Sequence, residues 1–235
     1  MKFEELVSPS LKDLFVNQIE DMILRGELSI GEKLPNERYL SKQMNVSRSI
    51  INNGMQELAD KGFVKIISRQ GVFIEDYVRN GNIKTLVAIM NHKGSNYDKA
   101  LLFSFIEFRR DIETLCSKKA SSNRTIDQLN NLNEQFDILI NAIGQDDFID
   151  ESLEFHKLIY IATCNFVYPL LFNAFYEVLY KVTATLLSLI DHNKIISNLE
   201  LVLAAIKDQN EKDSYQAMLY HVDFCAEILK EYYQI

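Results

Sequence analysis

The side chains in the first third of the chain that could do chemistry are donors rather than nucleophiles. Arg38, Ser47, Arg48, Ser49 and Asn52 lie close together in sequence, and the run Arg69-Gln70-Gly71 follows. Guanidinium, hydroxyl and carboxamide groups bind phosphate oxygens and base edges, so this set points to double-stranded DNA. Seven basic residues against three acidic ones between Lys33 and Ile74 give that stretch a charge of +4, within a chain of formal charge −8. That overall charge excludes a general attraction to nucleic acid, and any pull on phosphate must come from the local patch. From Gly81 to Ile235, fourteen basic and twenty-one acidic residues leave the remainder at −7, which implies two parts with different partners.

Positioning these donors takes two short helices, a tight turn and a hairpin. Pro35 presets φ and Asn36 supplies a capping oxygen, which predicts a helix over Arg38–Met44. Asn45-Val46 makes the turn. Ser47 then caps a second helix whose apolar Ile50, Ile51, Met55 and Leu58 recur at roughly helical spacing. Arg48, Ser49 and Asn52 fall on its other side near the N-terminal end, where a recognition helix meets a groove. After Lys61-Gly62 the run FVKII alternates like a strand, Ser68-Arg69-Gln70-Gly71 is a polar turn, and VFI returns. This is the pattern of a winged helix-turn-helix. Glycine at the wing tip lets the backbone approach the sugars while Arg69 and Gln70 donate into a minor groove. Upstream, Met1–Val7 reads as a leader and Ser8-Pro9-Ser10 opens a helix over about Leu11 to Leu24, closed by Arg25-Gly26. Its Leu11, Leu14, Phe15, Ile19, Met22 and Ile23 are expected to share the core-facing side.

A chain of 235 residues with 47% hydrophobic content fits one or two domains. No apolar run is long enough to span a membrane, and Met1-Lys2-Phe3-Glu4-Glu5 turns acidic at once, unlike a signal peptide. A cytoplasmic protein without a membrane partner is expected. Cys116, Cys164 and Cys225 are odd in number and isolated in apolar helical patterns, so they read as core residues rather than disulfides or thiolate ligands. Asp76–Gly81 is polar and reads as a link, followed by a short helix over Asn82–Asn91 that His92-Lys93-Gly94-Ser95-Asn96 ends. Helical periodicity then predicts helices at about 97–121, 125–143, 146–164, 168–192, 195–209 and 211–233. Gly144 is the last glycine, strand signals are absent, and an all-α antiparallel bundle is the natural architecture, making the chain mainly α.

The stretch MILRGELSIGEKLPNERYLSKQMNVSRSIINNGMQELADKGFVKIISRQGVFI resembles the DNA-binding domain of the GntR family of bacterial transcription regulators, over about residues 9–76. The RGxLxxGxxLPxER entry, the VSR turn, the L-x-x-x-G-x-V step and the Gly wing occur in order. The resemblance implies that Arg38 and Arg48 contact DNA. A third family arginine, one helical turn further on, falls on Asn52. Asn is shorter, uncharged and suited to adenine N6/N7, whereas Arg takes guanine or phosphate. The operator is therefore expected to differ from the family consensus at one position in each half-site. The alternative is that Asn52 merely faces solvent.

Further on, EFRRDIETLCSKKA, ESLEFHKLIYIATCN and SYQAMLYHVDF are similar to the all-helical, FCD-type effector domain of the FadR subfamily, over about Ile83 to Tyr233. This implies a winged helix-turn-helix at 1–76, a linker at 77–82, and an effector-binding and dimerisation domain at 83–235. It also implies a homodimer on a short palindromic operator, with DNA affinity modulated by a small carboxylate or acyl ligand. Many members hold a divalent metal through an Asp and three His. His156 and His221 match two of those positions, but the Asp falls on Ser152 and the middle His on Leu199. That donor set is incomplete for a divalent cation, and no cofactor is assigned firmly. Arg109 matches an R-x-x-x-E step with Glu113 one turn on, so its guanidinium binds either a ligand carboxylate or Glu113. The expected effector set is Arg109, Ser152, His156 and His221, with hydrogen-bonded core histidines as the alternative for the last two. Catalysis is not expected. Two competing readings are a constitutive DNA binder with a decayed pocket and a metal-dependent helical hydrolase using His156 and His221.

Overall fold

Helix α1 (Leu11–Leu24) starts where Ser10 and Asp13 cap each other reciprocally, and it ends at Arg25 before Gly26, whose φ of 75° takes the chain out of the helix. The computed structural model describes residues 9–92 and 98–234, so the leader at Met1–Val7 and the loop at 93–96 lie outside the described residues. Phe15, Val16, Ile19 and Ile23 are buried on α1, but Leu11 and Leu14, expected on the same side, are half exposed. The buried stripe is rotated because Glu20 takes a place in it, 7% exposed and paired with Lys61 Nζ at 2.9 Å.

Helix α2 (Glu37–Gln43) begins at Asn36, whose Oδ1 accepts from Tyr39 N at 2.9 Å. Asn45, at φ 52°, turns the chain, and Ser41 Oγ donates to Val46 O at 2.6 Å to hold the turn. Helix α3 (Arg48–Asp60) follows with Ser47 Oγ accepting from Ile50 N at 3.3 Å. Ile51, Met55 and Leu58 of α3 are buried with Phe15, Ile19 and Ile23 in one core. Strands β1 (Val64–Ile67) and β2 (Gly71–Ile74) pair antiparallel with Val64 opposite Ile74 and Ile67 opposite Gly71. The loop ahead of α2 is laced to the wing through Leu34 N to Val72 O at 2.9 Å and Ile74 N to Glu32 O at 2.8 Å.

The chain divides into two compact units, 1–98 and 99–235, and this places the boundary later than the sequence suggests. Residues 77–82 do not form a free linker. They contain helix α4 (Tyr77–Asn80), whose Tyr77 ring packs 5.5 Å from Phe63. Helix α5 (Ile83–Asn91), grouped with the bundle from its sequence, belongs to the first unit. The reason is polar: Asn82 Nδ2 donates to Asp60 O at 3.0 Å and Thr85 Oγ1 to Lys61 O at 2.5 Å, satisfying carbonyls at the end of α3. His92 Nε2 also lies 2.7 Å from Asp21 Oδ1 of α1.

The second unit is all helix: α6 (Asp98–Asn123), α7 (Ile126–Asn141), α8 (Phe148–Ala162), α9 (Val167–Ala174), α10 (Tyr176–Leu187), α11 (His192–Lys207) and α12 (Glu211–Tyr233). α7 packs on α8 and α11 on α12. Ser117 of α6 and Ser214 of α12 exchange buried bonds, each hydroxyl donating to the other's carbonyl at 3.1 and 2.8 Å. The periodicity predicts one helix over 168–192, but the chain bends by 65° between α9 and α10. Phe175 makes the break: it leaves helical geometry and packs its ring against both Phe105 and Phe108, at 5.8 and 5.0 Å. Cys116 and Cys225 are buried as expected, whereas Cys164 is exposed, because it sits at φ 56° just beyond the end of α8. Among the described residues, no single helix is long and apolar enough to cross a membrane; α9 and α10 pass that test only together, across their bend.

Candidate nucleic-acid interface and effector core

The first unit gathers the sequence-predicted donors on exposed ground. Arg48, Ser49 and Asn52 are exposed along the first two turns of α3, Arg38 is exposed on α2, and Arg69 and Gln70 are exposed at the wing tip. Ser47 uses its oxygen to cap α3, so toward DNA it has its hydroxyl proton to offer. Arg69 adopts φ 61°, a left-handed conformation that a side chain tolerates at some strain, and a Cβ on Gly71, itself at φ 122°, would stand 2.8 Å from Lys33 Cε. The sharp turn therefore projects Arg69 and Gln70 away from the strands.

Glycine also sets the recognition helix. A Cβ built on buried Gly54 would lie 2.3 Å from Phe15 Cδ1, so α3 crosses α1 closer than any other residue allows. Asn52 is not a free side chain. Its Nδ2 donates to Glu37 Oε1 at 2.8 Å across the turn, a contact that the sequence does not suggest, although Glu37 stands beside Arg38 in the ER pair.

In the second unit α6, α8 and α12 bring Arg109, His156 and His221 together around a residue that the sequence presents only as a neighbour, Glu113. Arg109 Nε donates to Glu113 Oε1 at 2.6 Å, and the pair is buried rather than solvated, with Glu113 only 1% exposed. Glu113 Oε2 lies 3.1 Å from His156 Nδ1, an electrostatic contact whose angles fall short of a hydrogen bond. The His156 and His221 rings are 5.3 Å apart, and His221 Nδ1 is buried without a hydrogen-bond partner among the described residues. Ser152 is buried one turn before His156, outside these contacts, and Leu199 is fully buried.

Burial pushes the Glu113 carboxyl up, but Arg109 first and His156 second outweigh it and hold the group well below the usual carboxylate range. Burial, reinforced by His156, pushes His221 down to about 3, so its imidazole is neutral. Cys116 and Cys225 are each pushed up to about 12 by burial, which makes both unreactive thiols. Beside this cluster Arg109 forms part of the wall of a narrow apolar pocket of about 10 Å³, room for about one water, lined otherwise by Phe105, Phe108, Tyr160, Phe172, Phe175 and their aliphatic neighbours.

The donor set does not fit a divalent cation. Its one carboxylate already neutralises Arg109, which places a fixed positive charge in the same shell, and positions 152 and 199 supply a hydroxyl and an aliphatic chain. Among the described residues no three His, Cys, Asp or Glu side chains are arranged to hold a metal.

An exposed reading helix and wing within a basic segment, joined to a helical bundle with a buried polar centre, define a two-module DNA-binding regulator. The chain belongs to the GntR family of bacterial regulatory proteins: residues 13–74 match the description "Bacterial regulatory proteins, gntR family" and residues 104–224 match the FCD domain. It is 24% identical over 226 residues to the HTH-type transcriptional repressor NanR of Cronobacter sakazakii, covering 93% of this chain and 85% of the relative. It is 28% identical over 152 residues to the Exu regulon transcriptional regulator of Escherichia coli K12, covering 63% of this chain and 54% of the relative. Among solved structures, the Listeria monocytogenes protein described under "Lar controls the expression of the Listeria monocytogenes agr system and mediates virulence" aligns with a TM-score of 0.61 at 14% identity. It covers 98% of this chain and 100% of that one, and the likeness carries the fold alone. The chain is a GntR-type DNA-binding transcription regulator with an FCD effector-binding domain.

Proposed function

We propose that the chain is a FadR-type regulator that acts in the cytoplasm as a homodimer on a short inverted repeat, with operator affinity set by an apolar organic acid bound in the helical unit without a divalent metal. The observation that carries this reading is Arg109, a buried guanidinium set in the wall of a narrow aromatic pocket, whose side chains must part to admit a ligand. A guanidinium in such surroundings favours a carboxylate, and the phenylalanines favour an apolar body behind it. His221 Nδ1, buried without a hydrogen-bond partner among the described residues, offers one hydrogen-bonding position in the neighbouring polar cluster. Arg38, Arg48 and Ser49 hold the duplex, Asn52 reads a base edge, and Arg69, Gln70 and Gly71 occupy the minor groove. A ligand that prefers one arrangement of the two-unit dimer shifts the population and hence the operator affinity.

The test is operator binding titrated with a panel of aromatic and medium-chain monocarboxylates, with and without EDTA. Arg109→Met combined with Glu113→Leu removes the ion pair without stranding a charge, and it is expected to abolish the response while sparing effector-free binding. Ligand-independent binding throughout the panel would favour a constitutive regulator, for which the internal neutralisation of Arg109 by Glu113 already speaks.

A further inference from the structure

We infer that Glu37 is a positioning residue for base reading by Asn52, a role that rests on the proposal that Asn52 meets a base edge. A carboxylate within a basic DNA-facing patch repels phosphate, so its presence there asks for a reason. Neutralising an arginine is not that reason: among the described residues Glu37 forms no ion pair, although Arg38 and Arg48 are close in sequence. Its hydrogen-bond partner is Asn52, whose Nδ2 donates to Oε1 at 2.8 Å from fifteen positions further along the chain.

That bond orients the carboxamide. An asparagine amide can sit either way round, with its nitrogen and oxygen exchanged at little steric expense. Here the reverse orientation would set Oδ1 against a carboxylate, so the charge on Glu37 selects the one with nitrogen toward α2. Asn52 then keeps one N–H and its carbonyl oxygen, a donor beside an acceptor. This pair is complementary to adenine N7 and N6 in the major groove. An arginine at position 52 would meet Glu37 as an ion pair, whereas asparagine converts the same carboxylate into a device that fixes its flip.

The test is selection of duplexes from a randomised library by the full-length protein, followed by anisotropy titration of the selected sequence and its single-base variants. Wild type is expected to select adenine at one position of each half-site. Glu37→Ala should keep the rest of the selected sequence and lose about tenfold discrimination at that position. Glu37→Gln can turn either its oxygen or its nitrogen toward Asn52, so it should weaken the adenine preference as well while binding every sequence more tightly, because a negative charge is gone. Unchanged selection by Glu37→Ala overturns the inference, as does a loss at a position other than the one that Asn52→Ala alters, which would make Glu37 a reader itself. If Asn52→Ala selects the same sequence as wild type, base reading by Asn52 fails first and the inference fails with it.

Discussion

Replacing Gly54 by Ala offers the sharpest check on how the recognition helix is seated. The added Cβ would stand 2.3 Å from Phe15 Cδ1 and 2.7 Å from Cε1, so ring and helix must part by about 1.2 Å to reach the optimum for carbon atoms. Phe15 is buried at 3% exposure, and its ring has no open side into which to turn. Overpacking of this kind costs about 3 kcal/mol at the upper end of its range, and the better helix propensity of Ala returns about 1 kcal/mol. A net loss of about 2 kcal/mol should lower the melting temperature of the first unit by about 10 °C. Differential scanning calorimetry of the full chain reads this directly. The double variant Phe15→Leu with Gly54→Ala should recover part of the loss, since a smaller side chain makes room, so the two changes should be strongly non-additive. A Gly54→Ala protein that melts at or above wild type would refute the close crossing of α1 and α3.

Three further outcomes follow from the polar centre and the wing. Arg109→Ala strands Glu113 in the bundle and should destabilise it by about 3–5 kcal/mol in urea unfolding, whereas the double change Arg109→Met with Glu113→Leu should come out near neutral or more stable; equal losses in both would mean the pair is solvated. His221 is neutral when folded, with its pKa pushed down to about 3, while the unfolded chain takes up a proton near 6.5. The unfolded state therefore binds more protons, and stability should fall as pH drops from about 6.5 toward 3; the depressed Glu113 extends the loss below its unfolded value of about 4.3. Urea midpoints that stay flat between pH 7 and pH 4.5, or a slope unaltered by His221→Leu, would contradict that burial. Arg69→Gly relieves a residue at φ 61°, so thermal stability should hold or rise while operator affinity drops and the salt slope shrinks by about one; a destabilised variant with unchanged DNA affinity would remove Arg69 from the interface.

Local rules made much of the first unit legible. Pro35 and Asn36 opening a helix, Ser47 capping the next, and the polar turn between FVKII and VFI are short-range chemistry, and the structure places each within a residue or so of its expected bounds. The helical pattern beyond residue 98 was readable for the same reason, since periodicity needs no partner to be seen. What sequence periodicity could not show was where a helix docks or stops. Leu14 and Glu20 exchange inside and outside because Lys61, far along the chain, offers Glu20 a charge; α5 joins the first unit because carbonyls at the end of α3 need donors; and α9 and α10 part at Phe175 because its ring finds Phe105 and Phe108.

The amino-acid sequence by itself determined the two-module plan, the basic patch and the identities of Arg48, Asn52, Arg109, His156 and His221, because these depend on residue type and near spacing. Only the tertiary structure decided that Glu37 holds Asn52, that Gly54 admits Phe15, and that Glu113 joins Arg109 to His156 in a buried centre. Each of those depends on which surfaces meet: hydrogen bonding, steric fit and desolvation are settled by distances of a few ångströms between residues that the chain keeps far apart.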